Sequence, residues 1–180
     1  GFRDAQVDDA RLVLRLIFDA CDMGGHAVNY TRAEGVERDS KGRVCAVCLQ
    51  DAETGKSTEI RTKAVINATG PFAEKLHPSP EKGFHIRPLR GSHLIFPDQE
   101  QPLDRVISFM HPEDRRPVFL FPWEGTLVLG TTDVDHSEDL NREPGITRRE
   151  AEYLIQGLKS ILPETSLSLD RAIASIAGVR

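Results

Sequence analysis

Basic charge, cysteine and long apolar runs are all scarce in this chain, and each shortage removes a class of function. Across 180 residues, 23 Lys and Arg are outnumbered by 28 Asp and Glu, for a net charge of -5. A surface that binds nucleic acid is normally basic, so nucleic acid is not expected as a partner. Cys21, Cys45 and Cys48 form an odd set with no disulfide framework, which suits a reducing compartment. Cys45 and Cys48 lie in the strand-like stretch Arg43 to Leu49, where residues three apart point to opposite faces, and no second cysteine pair completes a zinc site. The cysteines are expected to be packed and inert, and no metal is expected. No apolar run approaches the roughly 20 residues that span a bilayer. The charged amphipathic pattern near the start is unlike a signal peptide.

A composition of 39% hydrophobic and 28% charged residues is that of a globular chain able to build one large domain or two lobes. In the first half, Asp4 through Met23 predicts a helix: Leu12, Val13, Leu16, Ile17, Ala20 and Cys21 share a face, Asp8 or Asp9 caps the start, and Gly24-Gly25 ends it. His26 to Thr31 reads as a strand. Ala33 to Glu37, Arg43 to Gln50 and Ser57 to Thr62 follow as an antiparallel meander with turn-rich separators. Lys63 to Pro71 reads as an apolar strand ending in Ala68-Thr69-Gly70, with a helical turn after it.

The second half predicts longer strands at Leu89 to Phe96, Arg105 to Met110, Pro117 to Trp123, Thr126 to Thr132 and Arg171 to Val179, with Glu124-Gly125 as a tight hairpin turn. Thr147 to Leu162 predicts a helix opened by a capping box of Thr147 and Glu150. Its stripe of Ala151, Leu154, Ile155, Leu158 and Ile161 should cover one face of the sheet. The fold class is therefore α+β, with lobes at residues 1–82 and 83–180. The stretch Ile86 to Pro97 places Arg87, Arg90 and His93 beside Gly91 and Ser92. Cations next to a buried strand need a negative partner, either an internal carboxylate or a ligand, and a glycine permits close approach. This reads as one wall of a site for a small anion. His77, His85, His111 and His136 read as surface residues.

The order of helix, strand, meander and a strand ending in Ala-Thr-Gly resembles the middle segment of the flavoproteins with two dinucleotide-binding domains, the branch that includes D-amino-acid oxidase. Five blocks sharpen this: Asp4 to Arg11, Asn67 to Pro71, Arg90-Gly91-Ser92-His93, Gly130-Thr131-Thr132-Asp133 and Ala177-Gly178-Val179-Arg180. Together, and in this order, they are similar to the FAD-dependent glycerol-3-phosphate dehydrogenases of the quinone-linked respiratory type.

That resemblance implies a part of an FAD-binding domain at residues 1–82 and a substrate domain at 83–180. It implies FAD as cofactor, with contacts from Ala68, Thr69 and Gly70 and from Ala27 and Val28. It implies His93 as the catalytic base and Arg180 as the ligand of the substrate phosphate. Arg90, Thr131, Thr132 and Asp133 join the substrate-binding set, Arg90 standing where many members carry lysine. Glycerol 3-phosphate as substrate, quinone as acceptor and peripheral attachment at the cytoplasmic face of the inner membrane follow from the same resemblance. The Gly-x-Gly-x-x-Gly turn that such proteins need for pyrophosphate does not occur here, so the chain is expected to be an excised and inactive piece of a larger enzyme. Two alternatives stay open: an amino-acid or sarcosine-type FAD oxidase, and a binding module without chemistry.

Overall fold

The computed structural model describes residues 5–77, 85–98 and 103–180. Two compact units, Gly1–Ile66 and Asn67–Arg180, divide the chain. The expected lobe boundary at 82/83 lies outside the described residues. The short 3-10 helix Gly70–Leu76 belongs to the second unit, its Glu74 carboxylate accepting from the Ile86 amide.

The first unit opens with helix α1 (Asp9–Asp22). It begins later than the apolar pattern suggests because Asp8 takes extended backbone and caps it, its carboxylate accepting from the Arg11 amide at 2.9 Å. The other end stops at Gly24, whose φ of +92° suits glycine. No α1 residue is buried, so the apolar face that sequence periodicity marks out is solvent-facing here. Strands β1 (Thr31–Arg38), β2 (Val44–Asp51) and β3 (Ser57–Arg61) form the expected antiparallel meander.

Two expected strands do not form. His26 to Tyr30 and Lys63 to Thr69 are irregular, and they leave Val28 73% and Ile66 92% exposed. Both have strand-like composition, but neither finds a partner strand among the described residues, and an unpaired extended segment is no strand. The cysteines also depart from expectation: Cys21 and Cys45 are exposed and Cys48 is half-buried, its thiol 3.6 Å from Glu37 Oε1.

The second unit is built on a sheet that runs β5 (Ile107–Met110), β6 (Pro117–Trp123), β7 (Thr126–Gly130), β4 (Leu89–Pro97), with β8 (Val134–Asp135) and β9 (Ala174–Val179) also pairing with β4, all antiparallel. Glu124 and Gly125, at φ of +44° and +78°, make the tight β6–β7 hairpin. Helix α2 (Arg148–Ile161) starts with the expected capping box and lies over one face of the sheet. Strand alternation sorts the residues. Leu94, Phe96, Val118, Leu120, Leu127 and Leu129 meet Ala151, Leu154, Ile155 and Leu158 of α2 in one core. Each fully buried Leu, Val or Phe among them contributes about 2 kcal/mol to folding. Gly91, His93 and Ile95 point to the opposite face, as do their directly paired neighbours Gly178, Ile176 and Ala174.

Between β7 and β8 the ladder gains a residue. From His93 to Arg90 is three steps along β4, while their partners Gly130 and Val134 are four steps apart. This bulge, spanning Thr131 to Asp133, sends neighbouring side chains to different faces.

Candidate active site

Two polar clusters meet at β4, one on each face. On the helix side Arg90 is buried and forms a fork with Glu150, Nη2 donating to Oε2 at 2.7 Å and Nε to Oε1 at 3.3 Å. The hydroxyls of Ser92 and Thr132 each donate to Glu150 Oε1 at 2.9 Å, and the Thr147 amide and hydroxyl donate to Oε2 at 2.9 and 2.7 Å. Burial alone would raise the Glu150 carboxyl, but the hydrogen bonds from Arg90, Thr147 and Ser92 outweigh it and hold the carboxyl down at about 2. Arg90 and Thr132, expected among the substrate ligands, are thus committed to an internal carboxylate. A cavity of about 600 Å³ opens on this side, bordered by Arg90, Asp114, Thr132, Asp133, Glu150 and Tyr153 among others.

The other face carries His93, Arg180 and Thr131. Gly130 is paired with His93 across the β4–β7 ladder, and the imidazole lies against it so closely that a Cβ at Gly130 would fall 2.1 Å from His93 Cδ2. At Gly91 a Cβ would fall 2.5 Å from Arg180 Nη1 and 2.7 Å from Thr131 Oγ1. Two glycines therefore make the floor on which the imidazole and the guanidinium rest. Main-chain bonds between Leu89 and Arg180, both 2.8 Å, fix the arginine in register. Desolvation, and then the nearby Arg180 charge, lower the His93 pKa, leaving the ring neutral near neutral pH and able to accept a proton. Asp133 joins the group: its Oδ1 accepts from Arg180 Nη2 at 3.0 Å, and its Oδ2 pairs with Arg116.

Arg116 is the member that sequence reading missed. It stands just before Pro117 in what reads only as a turn, and nothing local marks it as a partner of Asp133. Two of the histidines read as surface residues are buried. His111 stacks on Tyr153 with centroids 3.6 Å apart, its Nε2 lies 2.9 Å from the Tyr153 carbonyl, and its Nδ1 accepts from the Glu113 amide. His136 is buried too, and its ring nitrogens have no hydrogen-bond partner among the described residues.

Ala68, Thr69 and Gly70 form an exposed turn braced by Asn67, whose side chain accepts from the Thr69 hydroxyl at 2.8 Å and donates to the Ala73 carbonyl at 2.8 Å. Gly70 has φ of +55° and nothing within 4 Å of where its Cβ would be, so its main chain is open to a ligand. In the first unit Ala27 and Val28 are likewise exposed irregular backbone. Among the described residues no cluster of His, Cys, Asp and Glu could hold a metal ion, and no helix is long and apolar enough to cross a membrane.

Known proteins with the same pattern give this arrangement its context. The chain is 32% identical to an aerobic glycerol-3-phosphate dehydrogenase of Bacillus subtilis (strain 168), over 97% of its own length and 31% of the relative's. It is also 32% identical to an alpha-glycerophosphate oxidase of Streptococcus pneumoniae, over 99% of its length and 30% of the relative's. The crystal structure of the glycerol-3-phosphate dehydrogenase from Bacillus halodurans, complexed with FAD, superimposes with a TM-score of 0.87 at 30% identity, covering 97% of this chain and 35% of that one. The chain thus spans about a third of the length of the relatives it matches. Residues 2–180 match the family described as FAD dependent oxidoreductase, and with the fold and sequence in agreement from end to end, the chain belongs to that family.

Proposed function

We propose that the full-length protein carrying this segment oxidises sn-glycerol 3-phosphate to dihydroxyacetone phosphate. The observation that carries the reading is the placement of His93 and Arg180 on one face of the sheet, over the two glycine floors. The Arg180 guanidinium rests over Gly91, two positions from His93, which along a strand is about 7 Å. A three-carbon phosphomonoester bridges that span, with its phosphate on the arginine fork and its secondary hydroxyl at the imidazole.

His93 then takes the hydroxyl proton onto a ring nitrogen as the carbonyl forms. FAD, when bound, supplies the acceptor for the hydride that leaves the same carbon. The residues present fit that cofactor in one respect: the Asn67-braced turn at Ala68 to Gly70 offers exposed main chain that no Cβ obstructs. Thr131 belongs to the substrate set through its place beside Arg180, and Asp133 through its bond to it.

Steady-state kinetics on the full-length protein test the roles. Arg180→Ala should raise KM for glycerol 3-phosphate and spare turnover more, since the phosphate contact is present in ground and transition states alike. His93→Ala should lower kcat about 100-fold or more. Unchanged turnover in the His93 variant would remove it from the chemistry. A preference for amino acids over the phosphate ester would replace the proposal with the amino-acid oxidase reading. We extend the proposal to quinone as electron acceptor and to peripheral attachment at the cytoplasmic face of the inner membrane. Reduction of a soluble quinone analogue, measured against oxygen consumption, decides the acceptor, because relatives of this chain include proteins named as oxidases.

A further inference from the structure

We infer that Arg116 is a positioning residue for the anion site: by occupying one oxygen of Asp133, it keeps Arg180 from closing a two-pronged ion pair with that carboxylate and so leaves the guanidinium available to a phosphate. The inference rests on the functional reading above for the identity of the anion. Arg180 gives Asp133 a single prong, Nη2 to Oδ1 at 3.0 Å, while the other oxygen is held by Arg116 Nη1. Asp133 is mostly covered, with 15% side-chain exposure, so it needs cationic partners in any state of the protein. Arg116 and Arg180 are about half exposed and more adaptable.

Arg116 is itself held in place. Its carbonyl accepts from the His111 amide at 2.8 Å, its amide donates to Asp114 Oδ1 at 3.1 Å, and its Nε lies 3.6 Å from Asp114 Oδ2. Asp114 in turn accepts from the Tyr153 hydroxyl of α2 at 3.0 Å. The Arg116 side chain is therefore delivered to Asp133 by the β5–β6 turn and the helix, with no part played by the substrate. Without Arg116, Asp133 Oδ2 is left without that cation, and the planar fork of Arg180 is suited to gripping both oxygens together. An incoming phosphate would then compete with an internal carboxylate for the same donors. With Arg116, two cations share one carboxylate and a single positive charge remains for the ligand.

The test compares Arg116→Gln, Arg116→Lys and the double variant Arg116→Gln/Asp133→Asn in the full-length, FAD-loaded protein. The measurements are KM and kcat for glycerol 3-phosphate and the inhibition constant of inorganic phosphate. For Arg116→Gln, KM and the phosphate inhibition constant should rise about 10-fold or more with kcat within about threefold of wild type, the size of one lost charge-assisted contact. Arg116→Lys keeps the charge and should stay within about threefold of wild type in both. The double variant removes the competing carboxylate and should recover most of the lost affinity. Unchanged KM in Arg116→Gln, or a double variant no better than the single one, overturns the inference. If Arg116→Gln does not retain flavin and fold, Arg116→Lys decides: it must bind phosphate within about threefold of wild type, and failure to do so overturns the inference. Failure of the wild-type protein itself to oxidise glycerol 3-phosphate or bind phosphate would instead sink the functional reading beneath it.

Discussion

Gly130→Ala is the sharpest probe of the catalytic arrangement, because its effect is set by one measured clearance. The added methyl would lie 2.1 Å from His93 Cδ2, 2.6 Å from Cγ and 2.8 Å from Nε2, whereas ordinary contacts begin at 3.4 Å. Gly130 is not among the residues with positive φ, and the three atoms nearest its Cβ position all belong to the imidazole. The ring must withdraw by about 1 Å before the contact is tolerable. Displacing a reacting group by about 1 Å costs roughly 100-fold in rate. Arg180 rests on Gly91, not on Gly130, so substrate binding should be nearly unchanged. The expected outcome in the full-length protein is therefore kcat reduced about 100-fold, KM within a few-fold of wild type, and retained flavin. Gly145→Ala is the control, since nothing lies within 4 Å of its Cβ position and its activity should not change. Wild-type turnover in Gly130→Ala, or an effect confined to KM, would refute the placement of His93 at the reacting hydroxyl.

Two further outcomes follow from the charged groups. With a folded pKa below its ordinary value of 6.5, His93 stays neutral as pH falls through that value, so the acid limb of kcat/KM should lie below 6.5 and vanish in His93→Ala. Glu150, lowered from 4.5 to about 2, contributes stability that is fully present above 4.5 and lost as pH falls towards 2, amounting to about 3 kcal/mol. Urea denaturation at pH 7 and pH 3 should register about 2 kcal/mol of that loss, the remainder falling below pH 3. Glu150→Ala, which strands the buried Arg90 charge, should cost about 3–5 kcal/mol at pH 7 and flatten that pH dependence.

What could be read from the sequence depended on whether its partners were local. The α2 capping box, the Glu124-Gly125 turn and the span of β6 are set by neighbouring residues, and each stands where the residues predict. Strand alternation likewise places His93 opposite the core face, because Leu94 and Phe96 must go inward. His26 to Tyr30 and Lys63 to Thr69 have the composition of strands, but a strand is a relation between segments, and composition does not reveal whether a partner exists. Arg90 shows the same limit inside the site. A cation beside a glycine on an otherwise apolar strand signals a negative partner, but only the fold reveals that the partner is Glu150, a residue legible as a helix cap yet not as the hub of a buried network. Arg116 was hidden for the same reason, since its meaning lies in Asp133 on another strand connection.

The extra residue between β7 and β8 has a consequence for how this protein can change over evolutionary time. Thr132 turns towards the helix and secures the fold, Thr131 rests beside Arg180, and Asp133, which also borders the helix-side cavity, holds the Arg180 guanidinium. Three consecutive positions thus answer to two different selective demands. Deleting one of them would reverse the sidedness of everything up to the next turn, trading a stability contact for a binding contact in a single step. Drift in this segment should accordingly be confined to like-for-like replacement, and new substrate preferences should arise from the surrounding turns, such as the one that delivers Arg116.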